Sequence, residues 1–458
     1  MTKRVKTKKR TKMLYPMIIV LLVTVIAIMV MLIGSNSNID KINKGVSING
    51  IIVGGMTKGE AISLLDKKYK NKIEAKVIKM KYKERVFTIN YKELKAHYDI
   101  TTAVNKAYSF EKNGNILSRA LVNLGLGAKD YNVKPRFLYN LKIVKSKTAR
   151  ISKKINMKPI DATISYNGGI FTIVPERSGL AVDVKKLQDL IESAVIPGNN
   201  EVTIDIPTVD VAAKTTEAML SKIDTEISSY TTSFSTADKA RSGNIRIATE
   251  AIDGTLVLPG EIFSMNKGVG PRIAAKGYQE AHVIVKGELT TGMAGGICQA
   301  TTTVYNAALL ADFQIVQRTG HGLKVGYVKA GRDATISGDY IDLKFKNTNK
   351  TPIFIHTNVN NGKVTVRIFG ANEHPGQTVD IISTVLEKLS PQEPEYVKDP
   401  TMYIGTEKVE SRAIQGIKSI AYRKVYKDGK LIKQELLSKD KYQAAREKIL
   451  IGTKPLGN

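Results

Sequence analysis

Cysteine is almost absent from this 458-residue sequence, where Cys298 stands alone. One thiol excludes an intramolecular disulfide framework and a cysteine-rich zinc module. Histidine is scarce too: His97, His282, His321, His356 and His374 show no HExxH or other metal-ligand spacing. No metal and no cofactor is therefore expected. Acidic residues are outnumbered, 42 against 70 lysines and arginines, for a net charge of +28. What is present is ordinary for globular proteins. At 42% hydrophobic residues, most of the chain cannot be disordered or fibrous, and the length suits about three domains.

Charge is missing altogether from Met13 to Ile33, and acid is missing from residues 3–12, which carry Lys3, Arg4, Lys6, Lys8, Lys9, Arg10 and Lys12. As a helix the uncharged run would be roughly 31 Å long, about one bilayer core. The flanking cations retain the N-terminus in the cytoplasm. The sequence thus predicts a basic cytoplasmic tail over 1–12, a single transmembrane helix over 13–33, and an extracellular C-terminal bulk. A cleaved signal peptide is the rival reading, but its apolar region is usually only about 7–15 residues. Gly34-Ser35-Asn36 also makes a poor cleavage site. Nucleic acid, the usual partner of so basic a chain, is not expected for an exported one.

The exported part reads as multidomain α+β. Val46 to Lys67 reads as a strand, a Gly54-Gly55 turn and a helix, with Thr57 and Glu60 forming a capping box. A segment then repeats at an offset of 84 residues: Tyr82 matches Tyr166, Phe87-Thr88-Ile89 matches Phe171-Thr172-Ile173, and Asp99 matches Asp183 as an N-cap. Two small strand–strand–helix units, each with its own core, are expected. Ser390 to Pro400 holds three prolines and reads as an extended linker. Beyond it, alternating residues flank Asp428-Gly429, a hairpin signal.

These features resemble known envelope modules. The stretch KGVSINGIIVGGMTKGEAISLL and the repeats resemble peptidoglycan-binding domains, giving a repeated region over 40–215. GxxFSxN (Gly260–Asn266), GGICQ (Gly295–Gln299), the helix after it, the strand-like segment with His321, and GRDAT (Gly331–Thr335) resemble the VanW domain, placed at 225–372. Two positions depart from the family: Ala294 where a first glycine is common, and Gly322 where serine usually follows the histidine. After a linker at 388–400, residues 401–455 resemble the small all-β module called G-five. The resemblance implies a membrane-anchored protein that binds peptidoglycan or an anionic wall polymer and assists wall assembly or remodelling.

The residues also suggest chemistry. Cys298 would occupy the first turn of a helix, where unpaired N–H groups and the macrodipole stabilise a thiolate. His321 on a following strand would be the general base, and Asp333 on another would fix its tautomer. Gly295 and Gly296 would let a substrate approach. Gln299 and Asn266 are further pocket candidates, and the N–H groups of Cys298 and Gln299 would form the oxyanion site. The alternative function is thus a cysteine-dependent acyl-transfer enzyme, an amidase, peptidase or transpeptidase, acting on wall peptides. The plainer reading of the same residues is a small buried cysteine, packing glycines and a satisfied strand-end histidine.

Overall fold

The computed structural model describes residues 14–36, 40–110, 112, 130–198, 201–285 and 288–455. The expected cytoplasmic tail lies outside them. Leu14–Asn36 is one uncharged helix, and its described side chains, Tyr15 to Met29, are exposed. Among the described residues no helix is long and apolar enough to cross a membrane.

The chain divides into two compact units: residues 1–159 with 178–212, and residues 160–177 with 213–458.

In the first unit the local signals act as read. Thr57 accepts from the Glu60 N–H while Glu60 reaches back to the Thr57 N–H, closing the capping box on Lys58–Glu74. Asp99 and Asp183 cap Ile100–Ser109 and Val184–Ala194. The cores, however, do not follow the repeat. The first copy's helix supplies Ile100, Val104 and Ala107 to a core with Ile42, Val46 and Leu65. The first copy's hairpin supplies Ile78, Met80 and Ile89 to a second core, shared with Leu187 and Ile191 of the other copy's helix. The second copy's hairpin, Thr163–Asn167 with Ile170–Val174, leaves this unit altogether. Its Tyr166, Phe171 and Ile173 pack on Leu220, Phe354 and Phe369 of the second unit. The expectation of one private core per copy is corrected: an isolated hairpin cannot bury enough surface alone, and each copy finds its partner elsewhere.

The second unit is built on a four-stranded antiparallel sheet. Thr225–Ser233 and Ile353–Asn360 flank Lys363–Gly370, and Thr255–Val257 forms an edge. Across it lies the helix Ile297–Leu310, which also packs on the helix Lys239–Glu250. Its side chains are buried along nearly the whole length, as the apolar run predicts.

The C-terminal strands form two three-stranded sheets. Gly416–Lys427 and Lys430–Tyr442 pair across Asp428-Gly429, both left-handed (φ 49° and 78°), the geometry that matches the twist of a two-residue hairpin. The proline-rich segment is not all linker. Glu395–Tyr403 is an edge strand pairing with Lys448–Lys454, and Pro400 falls in its register shift between Asp399 and Tyr403. Proline is tolerated there because no ladder donor is needed. Ile381 and Leu437 of this module pack against the central core, so the module and the central domain share one hydrophobic interior.

Candidate active site

The hairpin Glu280–Val285 with Glu288–Met293 delivers the chain to a tight entry into the cysteine helix. Ala294 has φ 63° and Gly296 has φ 106°. A side chain in the left-handed region costs about 1–2 kcal/mol, which explains why glycine is common at the position Ala294 fills. Gly295 and Gly296 serve protein packing. A Cβ on Gly295 would lie 2.6 Å from the His282 carbonyl oxygen, and one on Gly296 would lie 2.8 Å from Arg241 Cγ. Both still line the cleft beside the thiol, but their need for no side chain comes from the hairpin and the Lys239–Glu250 helix pressing on them.

Cys298 stands in the first turn of the helix Ile297–Leu310, partly exposed. Its sulfur is 3.0 Å from Thr335 Oγ1, and the His321 side chain lines the same cleft, close enough to favour the thiolate. His321 Nδ1–H donates to Asp333 Oδ2 at 2.7 Å, and the His321 backbone N–H donates to the same oxygen at 2.7 Å. With Nδ1 committed to the carboxylate, Nε2 is the ring atom left for the thiol. The structure therefore brings Cys298, His321 and Asp333 into one connected chain.

The histidine and aspartate are not on strands, as the alternation of LKVGYV predicts. Both lie in an irregular stretch between Gln314–Gln317 and Lys344–Lys346. Polar side chains of the cysteine helix hold it. Thr302 Oγ1 donates to the Ala334 carbonyl and accepts the Ala334 N–H, both at 3.0 Å. Asn306 donates to the Arg332 carbonyl at 2.8 Å and accepts from Arg332 Nε at 2.9 Å. These bonds clamp the backbone on each side of Asp333. The run of threonines and an asparagine inside a buried helix was the sequence signal for this role. Asp333 itself is 1% exposed and its Oδ1 also meets Arg318 Nη2 at 3.2 Å and the Tyr442 hydroxyl. Arg318 and Tyr442 carry no motif that would single them out.

The electrostatics follow from this packing. Burial alone would push the Cys298 thiol up, but the hydrogen bond and charge of His321 with the Thr335 hydroxyl outweigh it and hold the thiol below its ordinary value. Burial lowers His321, yet Asp333 and Cys298 raise it to about 9. Burial raises Asp333, while His321 and Arg318 bring it down to about 2. At neutral pH Asp333 is a carboxylate and His321 an imidazolium, and the imidazolium favours the thiolate form of Cys298 beside it.

A cleft of about 580 Å³ opens on the thiol, lined by Arg241, Arg272, His282, Gly295, Gly296 and Gln299 among others, with no acidic side chain among the described residues. Gln299 is 1% exposed. Its amide accepts from Arg241 at 2.8 Å and donates to Thr232 and Ser233, so it orients the arginine. Asn266 does not line the cleft; it accepts from Arg272 Nη1 at 2.7 Å and donates to the Ile341 carbonyl. The Gln299 N–H is taken by the Gly296 carbonyl at 2.9 Å, whereas the Cys298 N–H has no such backbone partner among the described residues. Of the two expected oxyanion donors, the Cys298 N–H is the one left available. Among the described residues no cluster of side chains suits a metal ion.

An α+β domain with a helix-borne cysteine wired to a buried histidine–aspartate pair, followed by a β module, defines the class of molecule. A family model described as VanW like protein matches residues 240–369, one for a peptidoglycan binding domain matches 87–203, and one for the G5 domain matches 382–454. The chain is 35% identical over 241 residues to the uncharacterized protein YoaR of Bacillus subtilis, covering 52% of this chain and 76% of that one. It is 28% identical over 172 residues to the vancomycin B-type resistance protein VanW of Enterococcus faecalis, covering 36% of this chain and 62% of that one. An IgA1 protease G5 domain structure aligns with 18% of this chain and 96% of its own, at 21% identity and a TM-score of 0.12. The chain belongs to the VanW-like family, and its matched domains are those of a cell-wall-associated protein.

Proposed function

We propose that this protein is a membrane-anchored cysteine acyl-transfer enzyme of the cell envelope that acts on amide bonds of wall peptides. The observation that carries this reading is the chain Cys298–His321–Asp333. A cysteine whose only task is packing has no need of a buried imidazole, itself oriented by a carboxylate that accepts two bonds from the same histidine.

In the reaction the Cys298 thiolate attacks the carbonyl carbon of a peptide amide, and the Cys298 N–H supports the oxyanion. The C–N bond breaks as His321 gives its Nε2 proton to the leaving amine. The resulting thioester is opened by water, giving hydrolysis, or by an amine of another peptide strand, giving a cross-link. His321 takes a proton from that acceptor and the thiolate is restored. Asp333 keeps the imidazole in the tautomer this requires. Arg241 and Arg272 suit substrates rich in free carboxylates, as wall peptides are, because the acceptors that hold both among the described residues are neutral.

The uncharged helix Leu14–Asn36, with apolar side chains exposed from Tyr15 to Met29, supports a single-pass anchor with a cytoplasmic N-terminus. The matched peptidoglycan-binding and G5 domains support holding the enzyme on wall polymer.

The test is intact-mass analysis of the full chain incubated with purified wall peptides. A thioester adduct on the wild type that is absent from Cys298→Ser is expected. If peptides are neither bound covalently nor altered, while the protein still sediments with isolated walls, the chain is a non-catalytic wall-binding factor.

A further inference from the structure

We infer that the C-terminal β module is part of the catalytic centre itself, with Tyr442 as a positioning residue that fixes the Asp333 carboxylate against His321. This rests on the acyl-transfer reading of Cys298, His321 and Asp333, and it gives the module a task beyond contact with the wall.

The stretch that carries His321 and Asp333 has no helix or strand of its own from Arg318 to Leu343. The cysteine helix supports one side of it through Thr302 and Asn306. The module supports the other. Tyr442, at 0% exposure, ends the strand Lys430–Tyr442. Its hydroxyl donates to Asp333 Oδ1 and accepts the Gly331 N–H at 2.7 Å, so it has both a fixed position and a fixed donor direction. Arg318 donates through Nη1 to Asp440 of the same strand at 2.6 Å and through Nε to the Asp333 carbonyl at 2.7 Å. The Gln443 N–H bonds the Gly322 carbonyl, next to His321, at 2.7 Å. Gly331 has φ 79°, and a Cβ there would meet Ala421 Cβ at 3.1 Å. The loop is therefore moulded to the module's surface. At the far end of the cysteine helix, Arg423, 1% exposed, donates to the Phe313 carbonyl at 2.8 Å.

The consequence for chemistry lies in how the carboxylate is shared. Oδ2 takes both bonds from His321, and Oδ1 takes Arg318 and Tyr442. With Oδ1 fully engaged, the carboxylate cannot rotate to bind the imidazole with its other oxygen, and His321 is held with Nε2 toward sulfur. Without the Tyr442 hydroxyl, Oδ1 keeps only the 3.2 Å contact with Arg318. The carboxylate gains freedom, the imidazolium is less well stabilised, and the thiolate with it. The charged and titratable groups around this centre are His321, Cys298, Arg318, Asp440, Tyr305, Tyr327 and Tyr442, and Tyr442→Phe changes one of them without touching the others.

The experiment uses the full chain as wild type, Tyr442→Phe and Asp440→Asn. Alkylation of Cys298 by iodoacetamide is followed by intact mass across pH, beside thermal melting of each variant. Removing one bond to a buried charge should move the Tyr442→Phe profile toward higher pH and slow alkylation near pH 6.5 roughly 3- to 10-fold. A lower melting temperature with an unmoved profile would show a merely structural tyrosine and overturn the inference. If Tyr442→Phe has no folded state, Asp440→Asn decides: a shift in the same direction supports the inference, and an unmoved profile overturns it. A wild-type profile equal to that of free cysteine would instead sink the acyl-transfer reading, a failure visible before any variant is compared.

Discussion

The second unit contains two histidine–aspartate pairs of nearly the same local geometry. His321 Nδ1 lies 2.7 Å from Asp333, and His356 Nδ1 lies 2.9 Å from Asp253. Each carboxylate also accepts a backbone N–H at 2.7 Å, from His321 itself in one case and from Thr357 in the other. Their surroundings differ. The Asp333 side chain is 1% exposed and the Asp253 side chain 41%. Asp333 is bonded further by Arg318 and Tyr442, and a thiol faces the far side of His321. His356 instead sits beside the ring of Tyr166, 4.8 Å away. A histidine–carboxylate contact is thus a common way to satisfy two polar groups. Burial, a saturated carboxylate and a nucleophile on the second nitrogen separate a reactive centre from a surface pair.

Breaking each histidine should widen that contrast most. Free cysteine titrates near 8.5, so at pH 6.5 only about 1% is thiolate. His321→Ala should slow Cys298 alkylation at that pH by up to about 100-fold, whereas His356→Ala should leave it unchanged. Equal rates in the two variants would mean that His321 does not ionise the thiol. The carboxylates should rank next. Asp333→Asn leaves Arg318 facing a lost partner in a buried site, a class of change that costs about 3–5 kcal/mol. Asp253→Asn, at an exposed pair, should cost about 0–1 kcal/mol. Chemical denaturation of the two variants reads this directly, and similar losses would show that burial is not what distinguishes the pairs.

The order Cys298, His321, Asp333 was legible from sequence because the motifs are local and their types are rare: one cysteine and five histidines in the whole chain. Caps and turns were legible for the same reason, as at Thr57, Asp99, Asp183 and Asp428-Gly429. Illegible were the features set by distant packing. The alternation in LKVGYV imitates a strand, but the segment finds no ladder partner and is held by Thr302 and Asn306 instead. The repeat predicted private cores, yet which surface Phe87 or Phe171 covers depends on chain that no local pattern specifies. Tyr442 reaches Asp333 from 109 residues away, and nothing in its own strand marks it. Gly295 and Gly296 were read as places for a substrate to approach, and no local pattern showed that the His282 carbonyl and Arg241 would stand against them.

Proton linkage sharpens the comparison further. Stability rises with pH wherever the unfolded chain binds more protons than the folded one. The Cys298 thiol is held low in the fold. Its contribution is therefore complete above about pH 8.5, the unfolded value, and is lost as pH falls through the lowered folded value. His321, raised to about 9, has the opposite sign: its contribution is complete below about 6.5 and is lost as pH rises through about 9. Between the lowered Cys298 value and about 8.5 the two slopes therefore oppose each other in the wild type. Cys298→Ser removes the opposing partner. Its stability should fall relative to wild type as pH rises through this window, by at most about 1.4 kcal/mol per pH unit. A wild-type advantage that does not vary with pH would indicate a neutral thiol.

The smallest expected effect concerns what the reactive pair attracts. Arg241 and Arg272 line the cleft, and their guanidinium groups are oriented by Gln299, Asn266 and the Gly338 carbonyl. None of these acceptors is charged, so the arginines are positioned without being neutralised by any of the described residues they bond. A carboxylate entering the cleft would meet them before the thiol. Iodoacetate and iodoacetamide differ in that one charge and alkylate the same sulfur, and their ratio of rates on free cysteine corrects for intrinsic reactivity. On Cys298 the corrected ratio should favour iodoacetate. His321⁺ contributes to this preference, so the arginine share is read from Arg272→Gln, which removes the charge and leaves a shorter, neutral amide. Removing one partly screened charge near the cleft should lower the ratio by about 2- to 5-fold, an effect of roughly 0.4–1 kcal/mol. Added salt should lower the wild-type ratio in the same direction. A ratio that is indifferent to Arg272→Gln and to salt would mean that the cleft does not select for carboxylates, and would remove the main support for peptides rich in them as the substrate.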